Sequence, residues 1–80
     1  MNIQLIQGQF NTQDAVDILT QMVNVKIKFH ESKINNAHNE EDIKMRERRI
    51  KQLQQHLHES RIHIENQGGM ISITSELSFN

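Results

Sequence analysis

The segment of the chain with the most evident chemistry is HLHESRIH at residues 56–63, which holds three histidines, a glutamate and an arginine. On a helix, His56, Glu59 and His63 fall at i, i+3 and i+7 and therefore share one face. Two imidazoles and a carboxylate are a ligand set that suits zinc or iron. However, the two histidines lie two turns apart, and Glu31, the acid nearest to such spacing on the other predicted helix, has no matching histidine. We therefore interpret these three residues as a helix flank that is either solvated or in contact with a second subunit, and we expect no bound metal or cofactor.

A second segment with chemical potential is KMRERRIK at residues 44–51, which carries five basic residues and one acid. Lys44, Arg48, Arg49 and Lys51 are the candidates for contact with nucleic-acid phosphates on this helix. The segment lacks the interleaved aromatic residues of a single-strand binder. Such a run is more often a solvated helix face that acids one turn upstream balance. Nucleic-acid binding through these four residues is therefore the alternative interpretation and not the first.

His30 differs from the other histidines because it falls inside an apolar stripe, between Ile27 and Ile34. A histidine in this position is usually half-buried and hydrogen-bonded to a backbone or glutamate oxygen. We expect a partner on the same helix, such as Glu31, or on the second helix. Because imidazole titrates near neutral pH, a role as a pH sensor is the alternative.

Motifs of enzymatic catalysis are missing from the sequence. The chain contains no cysteine and no Gly-x-Ser-x-Gly segment, and its Gly68-Gly69 pair follows a predicted helix and not a strand. The net charge of −1 gives no global field that would attract nucleic acid or an anionic membrane. We therefore expect a protein that binds and does not catalyse.

Hydrophobic periodicity divides the 80 residues into four elements of one domain, residues 1–80. Alternation predicts strands at each end of the chain, the second of them with one buried and one solvated face. A change of parity in the first strand predicts a bulge near Leu5 to Gly8. Asn11 and Asn39 predict helix starts, and Gly68 predicts a helix end. The predicted fold is α+β, mainly helical, with β-α-α-β order and paired antiparallel terminal strands. The predicted elements are a strand at 2–10, a helix at 12–35, a loop at 36–39, a helix at 40–67 and a strand at 70–79.

The first predicted helix carries two apolar stripes, although a single helical hairpin provides only one neighbour for it. The second stripe comprises Ile18, Met22, Val25 and Phe29. A second copy of the chain would cover it, so we expect a homodimeric four-helix bundle with coiled-coil-like packing, in which the terminal strands could join into one four-stranded sheet. The alternative is that the stripe packs on the chain's own sheet.

The sequence indicates the location and the partners of the protein only in outline. No apolar run approaches the length that spans a membrane, and the N-terminal segment does not resemble a signal peptide. We expect a cytoplasmic location without a membrane partner. The expected function is a small dimeric interaction or regulatory module that binds a protein partner whose identity the sequence does not specify.

Overall fold

A computed structural model describes all 80 residues as two terminal strands and two central helices. The predicted β-α-α-β order and the antiparallel pairing of the strands are confirmed, and the second strand is one residue shorter at each end than predicted. The helices form an antiparallel hairpin, and the strands form a two-stranded ribbon at its open end. The elements are β1 (Asn2–Phe10), α1 (Thr12–Asn35), α2 (Glu40–Gln67) and β2 (Ile71–Ser78).

Both helices begin at the asparagines that the sequence indicates. The side chain of Asn11 accepts a hydrogen bond from the backbone N–H of Asp14 at 2.8 Å. Asn39 accepts from the backbone N–H groups of Glu41 at 2.8 Å and Asp42 at 3.4 Å. These bonds satisfy donors that have no partner inside the helix. The second helix ends at Gly68, whose φ of 67° and ψ of 175° are accessible essentially to glycine alone.

The ribbon has one apolar face and one polar face, and a β-bulge makes this possible. The pairing shifts between Gln4 and Ile6, so that Leu5 has no partner on β2. One extra residue reverses the alternation of side chains, and this brings the N-terminal apolar residues to the same face as those that follow the bulge. The predicted bulge is therefore confirmed. The apolar face carries Met1, Ile3, Ile6, Phe10, Ile71, Ile73, Leu77 and Phe79.

The core of the chain is very small. Only Ala15, Leu53, Ile64 and Ile71 are buried. Three of these four form a cluster where the ribbon meets the hairpin, and the fourth lies on α2 farther along the hairpin. Partly buried neighbours complete the cluster: Phe10, Val16, Leu19 and Ile73.

The molecule is a thin plate of 46 × 32 × 13 Å. A helix of 28 residues is about 42 Å long, so α2 accounts for nearly all of the longest dimension. The ribbon, roughly 30 Å long, therefore extends mainly across the hairpin and not along its axis. As a consequence only the base of its apolar face meets the helices, and Leu77 and Phe79 remain 41% and 51% exposed. The predicted buried face of the second strand is therefore buried only near the hairpin.

No helix in the structure combines the length and the apolar character needed to cross a membrane.

Candidate interaction surface

The predicted second stripe of α1 changes from half-buried to exposed along its length. Ile18 and Met22 are half-buried near the ribbon. Val25 and Phe29, toward the helix–helix loop, are 70% and 54% exposed. The chain's own sheet therefore reaches only one end of the stripe, and the other end remains largely exposed.

A groove of about 450 Å³ lies in the corner between the hairpin and the ribbon. Ile18, Leu19 and Met22 of α1 form one wall. The other walls are formed by Ile71–Thr74 of β2 and by four residues of α2, Glu59, Ser60, His63 and Ile64. We call this the corner groove. It places the half-buried end of the stripe beside side chains from three elements.

The histidine-rich segment contributes to the edge of this groove. Glu59 and His63 line it, and His56, one or two turns earlier, is exposed on the same helix. Glu59 accepts a hydrogen bond from the Nε2 amide of Gln55 at 3.1 Å. No three histidine, aspartate or glutamate side chains come together in a cluster that could hold a metal ion.

The half-buried His30 pairs with a cation of the opposite helix. The guanidinium Nη1 of Arg46 lies 3.1 Å from Nδ1 of His30, and its Nε lies 3.3 Å from a carboxylate oxygen of Asp42. Because a guanidinium group can only donate, Nδ1 of the imidazole must accept, and the ring proton is assigned to Nε2. The sequence indicated a half-buried histidine but pointed to oxygen partners, and not to an arginine.

Two cations flank the exposed ring of Phe29. The Nζ atom of Lys33 lies 5.6 Å from the ring centroid, and the guanidinium carbon of Arg46 lies 6.0 Å from it. Contacts of this geometry are favourable because the face of the ring is electronegative. The i, i+4 spacing of Phe29 and Lys33 was a signal in the sequence for the first contact. The second contact joins two helices, and no local pattern indicated it.

The four predicted basic candidates separate into two pairs. Arg48 and Arg49 line a shallow depression of about 300 Å³, whereas Lys44 and Lys51 are exposed outside it. Arg49 donates to the side-chain oxygen of Gln52 at 3.1 Å. We call this the basic depression. Its lining residues are His30, Met45, Arg46, Arg48, Arg49 and Gln52.

The corner groove and the basic depression lie on the same side of the hairpin. At about 100° per residue, Met45, Arg49 and Gln52 project from the same flank of α2 as Glu59 and His63. The second stripe of α1 borders this flank along its whole length. We call the combined surface the groove face, and it runs from the ribbon to the loop.

Comparison with known proteins gives no family for this chain. No protein-family model, no curated protein and no solved structure matches it.

Proposed function

We propose that this chain is a cytoplasmic homodimeric interaction or regulatory module without catalytic activity, in which the groove faces of two copies pack together. The observation that carries the proposal is the second stripe, in which Val25 and Phe29 are exposed and Ile18 and Met22 are only half-buried, on a chain that buries only four of its 80 residues. A contiguous apolar surface of this kind usually marks a site of association.

The solvent-accessible surface area of the single chain supports the proposal. Its accessible surface is 6275 Å². A compact monomer of this mass would expose roughly 5,000 Å², so the excess is roughly 1,300 Å². A standard interface buries about 800 Å² on each partner. The radius of gyration of 15.1 Å also exceeds the roughly 12 Å expected for a compact domain of this length. One standard interface would therefore remove about 800 Å² of the excess surface, which is more than half of it.

A dimer joined through the hairpins would leave the ribbons available for a protein partner. Both edges of the two-stranded ribbon lack a neighbouring strand. The half of the apolar face distant from the helices, including Leu77 and Phe79, is also exposed. Open strand edges are sites where an extended segment of another protein can add by backbone hydrogen bonds.

Sedimentation equilibrium at micromolar concentration tests the dimer. The proposal predicts about twice the 9.4 kDa mass of the single chain. A mass that stays at 9.4 kDa as the concentration rises would remove the proposal. The variant Met22→Asp, which places a carboxylate in the centre of the stripe, should sediment as a monomer, and Gln54→Asp on an exposed position of α2 is its matched control.

Nucleic-acid binding remains a second candidate because one observation favours it. The single ion pair of the structure joins Arg46 to Asp42, so Arg48, Arg49 and Lys51 have no carboxylate partner. Fluorescence anisotropy with labelled DNA and RNA at low salt tests this function. It predicts binding that weakens steeply with added salt and is lost when Arg48 and Lys51 are both replaced by glutamate. Absence of binding at low salt would eliminate it.

A further inference from the structure

Charge is segregated along the hairpin. The half nearer the loop, residues 25–51, carries eight lysine or arginine side chains and five acids. The remaining residues, which form the half nearer the ribbon, carry one basic side chain and five acids. With neutral histidines, the side-chain charges of the two halves are +3 and −4. The near-zero net charge of the chain therefore conceals a strong dipole along its longest dimension.

We propose that the second copy packs antiparallel on the groove face, so that the loop end of each subunit covers the ribbon end of the other. This inference rests on the proposed dimer and specifies its geometry. In this arrangement the positive half of one subunit meets the negative half of its partner. Complementary charges across an interface favour correct partners and fix their register.

The second stripe is compatible with this geometry. The proposed two-fold axis lies in the interface plane, perpendicular to the helices, and passes between Met22 and Val25. It stacks α1 on α1 of the partner subunit, with the two helices running in opposite directions. Ile18 then faces Phe29 of the partner subunit, and Met22 faces Val25 of the partner subunit. The half-buried members of the stripe thus cover the exposed members, which are the ones that the single chain leaves uncovered.

The charges on both helices follow the same symmetry. On α1, the axis brings Lys33 to the same level along the helix as Asp14 of the partner subunit, because both lie equally many residues from the stripe centre. Two contacts show which residue of α2 lies beside the centre of the stripe. His30 contacts Arg46 near the loop, and Ile18 and Met22 share the corner groove with α2 near the ribbon, so the axis crosses α2 near residue 54. The axis therefore brings Arg49 to within about one helical turn of Glu59 of the partner subunit. The basic depression of each subunit thereby receives a carboxylate from the other.

The opposite, parallel geometry lacks these pairings. It would place the two ribbons at the same end, where their strands could join into one four-stranded sheet. It would also place the two positive halves together and the two negative halves together, and like charges across an interface are unfavourable. The antiparallel arrangement instead holds the ribbons at opposite ends of the dimer.

Exchange of charge between Arg49 and Glu59 provides the first test, with sedimentation velocity at low salt as the measurement. Arg49→Glu and Glu59→Arg should each weaken the dimer about tenfold or more. The double variant should recover most of the wild-type Kd. Lys51→Glu, the same change of charge on the opposite flank of α2, is the matched control and should shift the Kd much less. A double variant that is weaker than both single variants would overturn the antiparallel register.

Distances between spin labels provide the second test, and the absence of native cysteine makes labelling direct. In a His38→Cys dimer, the two loop labels should lie roughly 45 Å apart in the antiparallel geometry and within about 20 Å in the parallel one. A mixed dimer of His38→Cys with Gln67→Cys should give a distance near 20 Å between the loop of one subunit and the ribbon end of the other. A dimer with a short loop-to-loop distance would refute the geometry but leave the proposed function intact. A monomer would refute both.

Discussion

Replacement of Val25 by alanine should weaken the dimer while leaving the single chain folded. The change removes two methyl groups from a side chain that is 70% exposed in the single chain. Burial of each such group contributes about 0.8 kcal/mol, so the part that a second copy would cover contributes roughly 1.1 kcal/mol. A two-fold interface contains the residue twice, which gives about 2.2 kcal/mol and an increase in Kd of about 40-fold.

The same substitution should slightly increase the stability of the monomer. The exposed side chain leaves no cavity, and alanine is a better helix former than valine by several tenths of a kcal/mol. Sedimentation velocity over a range of concentrations measures the Kd, and urea unfolding under monomeric conditions measures the stability. Ile62→Ala, on the opposite side of α2 and 45% exposed, is the matched control and should leave the Kd unchanged. An unchanged Kd in Val25→Ala would refute the assignment of this stripe to the interface.

Three further predictions test the fold itself. Gly68→Ala should lower the free energy of unfolding by urea by about 1–3 kcal/mol, because the backbone conformation there is accessible essentially to glycine alone. This cost comes from the backbone and not from a clash, since no neighbouring atom lies within 4 Å of an added Cβ. Arg46→Ala should cost about 1–2 kcal/mol by the same assay, since it removes an ion pair, a hydrogen bond and a cation–π contact. Arg48→Ala should change stability by less than about 0.5 kcal/mol, and equal losses in the two arginine variants would contradict the importance of these contacts. Deletion of Leu5 should preserve the fold in circular dichroism, because its neighbours already pair with consecutive residues of β2, and loss of the native spectrum would contradict this pairing.

Local sequence patterns were sufficient to predict the elements of the fold. Both helix starts depend on an asparagine side chain that bonds to backbone groups two or three residues later. The bulge could be predicted because the apolar residues of β1 change parity, which a regular strand cannot accommodate on one face. These interactions act within a few residues or along one strand, so the sequence determines them locally.

Features that depend on the relative orientation of elements could not be predicted in this way. The alternation of β2 indicated one buried face, but the ribbon crosses the hairpin and leaves Leu77 and Phe79 exposed. The pairing of His30 with Arg46 joins positions 16 residues apart and depends on the register between the two helices. For the same reason, the basic segment did not reveal that its arginines line a depression from which its lysines are absent. Prediction of the candidate site would therefore have required the tertiary arrangement of the elements as well as the sequence pattern.

The most direct test of the central claim is isotope-filtered NMR on an equimolar mixture of ¹³C-labelled and unlabelled chains. If two copies pack antiparallel through their groove faces, the methyl groups of Val25 in labelled chains should show intermolecular nuclear Overhauser effects to the methyl group of Met22 in unlabelled chains. The methyl groups of Ile18 should show them to the ring of Phe29. Absence of intermolecular effects from all four residues, in a sample whose mass is that of a dimer, would contradict the claim that this stripe forms the interface.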